Sequence, residues 1–228
     1  MNKLAMSSAL IGVISLGGFS IGANAQGDVN QDQLNKIQEI EEKYDVEIDL
    51  TPTSDFSLSS STTDQFDEAI VEVEEGAALL HALVNSDDVG NETFSSEFRA
   101  ANVVSDVLGT VSRPFDLRTF GGEWEDTDSD LRAINRNISF VYDYEEGDRD
   151  GVLPTFVNVS SVSTSTSGVE GLSWEEREAT GSINSLGSLI TLQAAGDWAL
   201  TAEAAGFEYG LSMSDEWEFE FANSRVDD

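Results

Sequence analysis

From Phe207 to Phe221 the chain alternates with a period of two. Phe207, Tyr209, Leu211 and Met213 are interleaved with Glu208, Gly210 and Ser212, and Trp217, Phe219 and Phe221 with Glu218 and Glu220. Successive side chains of a strand point to opposite faces, so this row predicts half-buried strands with rings turned inward and glutamates turned toward water. Strands with one solvated face belong to antiparallel sheets. Ser214-Asp215-Glu216 interrupts the row and reads as a connection of hairpin length.

Ile138, Phe140, Tyr142 and Tyr144 form a second row of this kind, and Trp198, Leu200, Ala202 and Ala204 a third. Ile190, Leu192 and Ala194 form a shorter one that ends at Gly196-Asp197, read as a turn. With weaker strands at Phe156 to Val162 and Trp174 to Thr180, residues 131–228 are expected to form an antiparallel β-barrel or β-sandwich of about six strands. The Ser/Thr tract from Ser160 to Ser167 reads either as a linker or as an exposed strand edge, and the neighbouring Val157, Val159 and Val162 favour the edge.

The preceding part has a different period. Leu34, Ile37, Ile40 and Tyr44 recur at three- and four-residue steps, which predicts an amphipathic helix over Gln31 to Tyr44. Val46, Ile48 and Leu50 then alternate with Glu47 and Asp49, a short strand before Pro52. A serine- and threonine-rich loop from Asp55 to Thr63 leads to a capping box of Thr62 and Gln65. The second helix that follows carries the stripe Phe66, Ile70, Val73, Ala77, Leu80 and Val84, and Asn85-Ser86-Asp87-Asp88 ends it. A third helix is expected near Ser96 to Leu108, with Pro114 as a break. Residues 26–130 are thus read as a helical segment with a short strand, and the fold class as α+β, N-terminal helices followed by the β-module.

Residues 1–25 have the order of a secretory signal peptide: Lys3 beside the amino terminus, an apolar run from Ala9 to Phe19, and small residues at Ala23 and Ala25 before Gln26. The expected product is secreted, extracellular or periplasmic, with no membrane insertion of the mature chain; serines and glycines interrupt the apolar run well short of a span. The chain has no cysteine, which excludes disulfides and thiol chemistry.

Forty-four acidic residues against eleven basic ones give a formal charge of −33. Self-repulsion of this size opposes compaction in dilute salt and is screened in brine, so salt tolerance is expected. No basic patch exists to release phosphate counterions, which disfavours nucleic acid and anionic membranes as partners.

Catalytic equipment is sparse. His81 is the only histidine and borders the stripe of the second helix; without cysteine or a second histidine, common zinc sites cannot form within one chain. No G-x-S-x-G motif accompanies it, and no Walker or dinucleotide fingerprint is present. Gly121, Gly122, Gly206 and Gly210 read as turns or bulges.

Asp126, Asp128 and Asp130 form a D-x-D-x-D run whose oxygens could converge on calcium, although Leu131 and Asn137 stand where an EF-hand loop has glycine and glutamate. Asp148 and Asp150, with Glu145 and Glu146, form a second acidic cluster before Gly151 that could hold calcium. The competing reading of both is a solvated acidic turn.

Glycoside hydrolysis requires only two carboxylates beside a sugar-binding groove. Glu123, Glu125, Glu176, Glu218 and Glu220 lie near Trp124, Trp174 and Trp217. The phase of Trp217 with Phe219 and Phe221 instead makes Glu218 and Glu220 surface residues. Phe115 to Trp124 and Tyr142 to Tyr144 read as core packing before a binding face. The leading expectation is a non-enzymatic extracellular module that binds a glycan or a protein. The alternatives are a glycoside hydrolase using paired carboxylates and a calcium- or salt-responsive structural surface protein.

Overall fold

The computed structural model describes residues 31–53, 63–86, 93–98, 107–117, 133–146 and 152–226. The leader, the capping box at Thr62, and the aspartates 126, 128, 130, 148 and 150 lie outside the described residues.

The two helical periods form two helices, α1 (Gln31–Tyr44) and α2 (Thr63–Val84). Between them runs β1 (Glu47–Pro52), as the change of period at Val46 predicts. In α1 Ile37 and Ile40 are buried; in α2 Phe66, Ile70, Val73, Ala77 and Leu80 are buried together with Ala69, Leu79 and Leu83. Asn85 closes α2 by donating from Nδ2 to the His81 carbonyl at 2.8 Å, and Ser86 Oγ donates to the Leu83 carbonyl at 3.0 Å. Lys36 bonds Asp67 and Lys43 bonds Glu74, each at 2.6 Å and at the same sequence offset of 31, so the two helices run parallel.

Seven further strands follow: β2 (Thr93–Phe98), β3 (Val107–Asp116), β4 (Ala133–Glu145), β5 (Thr155–Ser167), β6 (Leu172–Ile183), β7 (Leu189–Ala204) and β8 (Phe207–Ala222). They make two four-stranded antiparallel sheets. Sheet I has the order β1-β8-β7-β6 and sheet II the order β2-β3-β4-β5. Sheet II is a meander; in sheet I the β6-β7-β8 meander gains β1 beside β8. The result is mostly β and sandwich-like. Among the described residues no closed barrel forms, which corrects the barrel alternative.

The inward row of β8 faces different neighbours along its length. Near its start, Phe66 of α2 meets Phe207 edge-on at 6.0 Å between centroids, and Gly76 of α2 lies against Leu211, Leu200 and Tyr209. A Cβ on Gly76 would come within 2.9 Å of Leu211 Cδ1, so a larger residue there would have to push the Leu211 side chain aside. Near its end, Phe221 packs on Phe94 at 4.3 Å and on Phe140, Tyr142 and Phe156 at 5.5 Å, all from sheet II. The two halves of one strand thereby cover both layers of the core.

Several expectations need correction. Ser214-Asp215-Glu216 is not a turn: β8 is continuous over 16 residues and pairs with β7 throughout, Asp215 opposite Gly196 and Ser214 opposite Asp197. Gly196-Asp197 is likewise internal to β7, and Gly210 is a paired strand residue, not a turn. The turn is Ala205-Gly206, both with positive φ (48° and 90°), as a two-residue connection between twisted strands requires. The two ends of the helix expected near Ser96 to Leu108 are strand, in β2 and at the start of β3, and residues 99–106 between them lie outside the described residues. Pro114 does not end the strand: it sits in β3 opposite Asn135, beyond Ser112, where among the described residues no β2 residue pairs with it and a proline is tolerated. The Ser160 to Ser167 tract is strand, the outer edge of sheet II.

Two measurements test this packing. Phe221→Ala should cost about 3–5 kcal/mol in urea unfolding, since the ring is fully buried between both layers; a loss below about 1 kcal/mol would contradict the packing. The bond from Lys43 holds the Glu74 carboxyl below its ordinary value. Its stabilising effect is therefore complete above the ordinary carboxylate pKa of about 4.3 and is lost as pH falls through the depressed folded-state value. Lys43→Met should return the Glu74 titration, followed by carboxyl NMR, toward the ordinary range.

Candidate functional site

Asp215 sits in the inward row of β8 between Met213 and Trp217 and is only 6% exposed. A buried carboxylate needs donors, and this one has three. Trp198 Nε1 donates to Oδ2 at 2.9 Å, Trp217 Nε1 donates to the same oxygen at 2.7 Å, and the Glu216 amide donates to Oδ1 at 2.8 Å. Trp198 comes from β7 and stands opposite Met213 and Trp174 in the registers of its two neighbours.

Trp174 of β6 completes the cluster, stacked on Trp217 at 4.3 Å and 19°. Space for its ring comes from Gly196, where a Cβ would lie 2.5 Å from Trp174 Cζ2. The indole donates to Thr164 Oγ1 of β5 at 2.8 Å. Glu176 accepts from the Thr164 amide at 2.5 Å and from its hydroxyl at 2.6 Å, so β6 is pinned to the edge strand of the other sheet.

The sequence-derived candidates that the structure describes are not brought together. Glu123, Trp124 and Glu125 lie outside the described residues, as do Asp126, Asp128, Asp130, Asp148 and Asp150. Glu145 and Glu146 are exposed at the end of β4. Among the described residues no group of three or more acidic or histidine side chains is placed to hold a metal ion, and no helix is long and apolar enough to cross a membrane. Glu218 and Glu220 are exposed on the outer face of sheet I, with Glu218 accepting from Gln193 Nε2 at 2.8 Å, and Glu176 is engaged by Thr164. His81 Nδ1 lies 3.1 Å from the Tyr44 carbonyl oxygen, and its ring meets Tyr44 edge-on, a helix-boundary contact. Tyr142 is core, as expected, and burial pushes its phenol up to about 12.

The outer faces of the two sheets differ in kind. That of sheet I is acidic: Glu203, Glu208, Glu216, Glu218 and Glu220 are all exposed there. A depression of about 360 Å³ lies over it, with Glu178, Gln193, Glu216 and Glu218 among its lining residues.

The outer face of sheet II carries hydroxyls and amides. Registers across its four strands align Thr93, Ser112, Asn137 and Ser165 in one rank and Ser95, Thr110, Ser139 and Ser163 in the next. Within the ranks Ser112 Oγ donates to Asn137 Oδ1 at 2.6 Å, and the Thr110 and Ser139 hydroxyls are 3.0 Å apart. Acidic positions flank these ranks: the registers put Glu97 in the rank next to that of Ser95, and Asp116 and Asp143 toward the ends of the face.

Reading residues alone missed Asp215 as a core group, although its odd number keeps the parity of Phe207 through Phe221. No single segment could reveal the neutral ranks, because each is assembled from four strands. No family model, curated protein or solved structure matches the chain.

The Asp215 cluster makes a direct prediction. Asp215→Leu strips two buried indoles of their acceptor and should cost about 2–6 kcal/mol, at about 1–3 kcal/mol for each orphaned donor. Asp215→Asn keeps a carbonyl acceptor and should cost less. Equal urea midpoints for the two variants, followed by tryptophan emission, would remove this role.

Proposed function

We propose that this is a secreted, non-enzymatic binding module whose sheets form a rigid platform. The observation that carries this reading is the fate of the carboxylates beside the tryptophans. Asp215 is consumed by three donors and Glu176 by Thr164, while Trp174 and Trp217 stack on each other and so turn those faces away from a ligand. Hydrolysis by paired carboxylates needs two free carboxyls across a groove, one kept protonated by its surroundings. Binding on a sheet face needs only preset side chains on a stiff scaffold, which the long β7–β8 ladder supplies.

One observation favours the hydrolase alternative: Glu178, Glu216 and Glu218 share the depression on sheet I. All three are exposed, without the apolar burial that prepares a general acid.

The test is a comparison of retention and turnover. The protein, incubated with a panel of glycans and with proteins from culture medium, should be captured by a ligand while releasing no new reducing ends. Reducing-end release that is abolished by Glu216→Gln or Glu218→Gln would replace this reading with the hydrolase, and capture by neither panel would remove it.

A further inference from the structure

The outer face of sheet II stands out by what it lacks. In a chain of 44 acidic and 11 basic residues, its two central ranks contain no charge across four strands. The edge strand β5, Thr155–Ser167, has no charged residue along its whole length. Solubility does not require this, since the opposite face meets the same solvent with glutamates. Nor does strand propensity: asparagine is depleted in strands, yet Asn135 and Asn137 occupy the central strand β4.

We propose that this face binds the flat surface of an uncharged, insoluble polysaccharide; the proposal rests on the binding-module reading and names its surface and ligand class. The chemistry matches in three respects. Neutral sugar hydroxyls are both donors and acceptors, and so are Ser and Thr hydroxyls, whereas ionised carboxylates can only accept. Short side chains lose little rotamer freedom on contact, and the bonds of Ser112 to Asn137 and of Thr110 to Ser139 already order them. The ranks repeat at about 4.8 Å across strands and about 6.7 Å along them, a ruled array suited to an ordered solid more than to a single flexible chain.

Charge sets the selection. Anionic polysaccharides are repelled by the field of the whole molecule; a neutral one meets the single sheet face that carries no charge of its own in its central ranks. Binding built on hydroxyl contacts is expected to persist in 1 M NaCl, where charge interactions beyond about 3 Å are screened.

The experiment is depletion of the full chain from solution by microcrystalline cellulose, by chitin and by an insoluble β-glucan, with calcium alginate gel as the anionic control, in 0.1 M and 1 M NaCl. Retention is expected on at least one neutral solid at both salt concentrations and not on alginate. Ser139→Glu and Ser163→Glu should each weaken it at least tenfold, while Thr201→Glu, which adds the same charge on the outer face of sheet I, should leave it unchanged. If Ser139→Glu does not fold, as judged by circular dichroism, Ser163→Glu and Ser165→Glu on the exposed edge strand carry the test. Retention that survives all the sheet II variants would overturn the assignment of the face while leaving a binding module in place. No retention on any neutral solid would overturn the ligand class, and the protein arm of the preceding experiment then decides whether a module remains.

Discussion

The unbroken inward row of β8 is the constraint from which the rest of the architecture follows. Its first half, Phe207 to Leu211, needs a cover and receives α2; its second half, Trp217 to Phe221, needs one and receives sheet II. A single strand can serve both only if the row continues through its middle, and the middle residue is an aspartate. The carboxylate is accommodated because two indoles and a backbone amide supply its hydrogen bonds. Replacing solvation by fixed donors is what allows a charged group to occupy a core position. Satisfied polar groups of this kind help define one arrangement of a core.

The same cluster fixes the open side of the sandwich. Trp174 sits over Gly196 and reaches Thr164, and Glu176 closes on the same threonine from β6. The sheets are therefore joined along β5 and β6 by side chains, without a ladder between them, which keeps two sheets separate instead of closing a barrel. Edges are otherwise guarded by ordinary means: Pro52 in β1, and bulges in β5 where Ser161 takes φ of 52°.

Charge is distributed to suit this frame. Lys36 and Lys43, the only lysines after Lys3, both tie α1 to α2. On sheet I three glutamates of β8 stand opposite uncharged residues of β7, Glu216 opposite Ala195, Glu218 opposite Gln193 and Glu220 opposite Thr191, whereas Glu208 faces Glu203. Like charges facing one another across strands are destabilising, so the register limits repulsion at those three positions, and the Glu203–Glu208 pair beside the turn is left to solvent screening. Sheet II avoids the problem by carrying hydroxyls and amides.

Sequence by itself determined the elements whose period is unambiguous. Leu34 to Tyr44 and Phe66 to Leu80 could only bury one face as helices, and the rows of Phe207, Phe140 and Trp198 could only do so as strands, because side-chain direction follows the backbone period. It also determined that Trp217 turns in while Glu218 turns out. Tertiary structure decided what those rows meet. Asp215 and Gly196 look like turn residues in isolation, since their reason for standing inside strands is the indoles of Trp198 in β7 and Trp217 in β8 for the one and the ring of Trp174 in β6 for the other. The ends of the helix expected near Ser96 to Leu108 are strand for a related cause: Phe94 and Val107 acquire a strand's partners only when Phe221 and β4 arrive. The neutral ranks of sheet II exist only in the registers of four strands, because hydrogen bonding between distant segments, and nothing local, brings Ser95, Thr110, Ser139 and Ser163 into line.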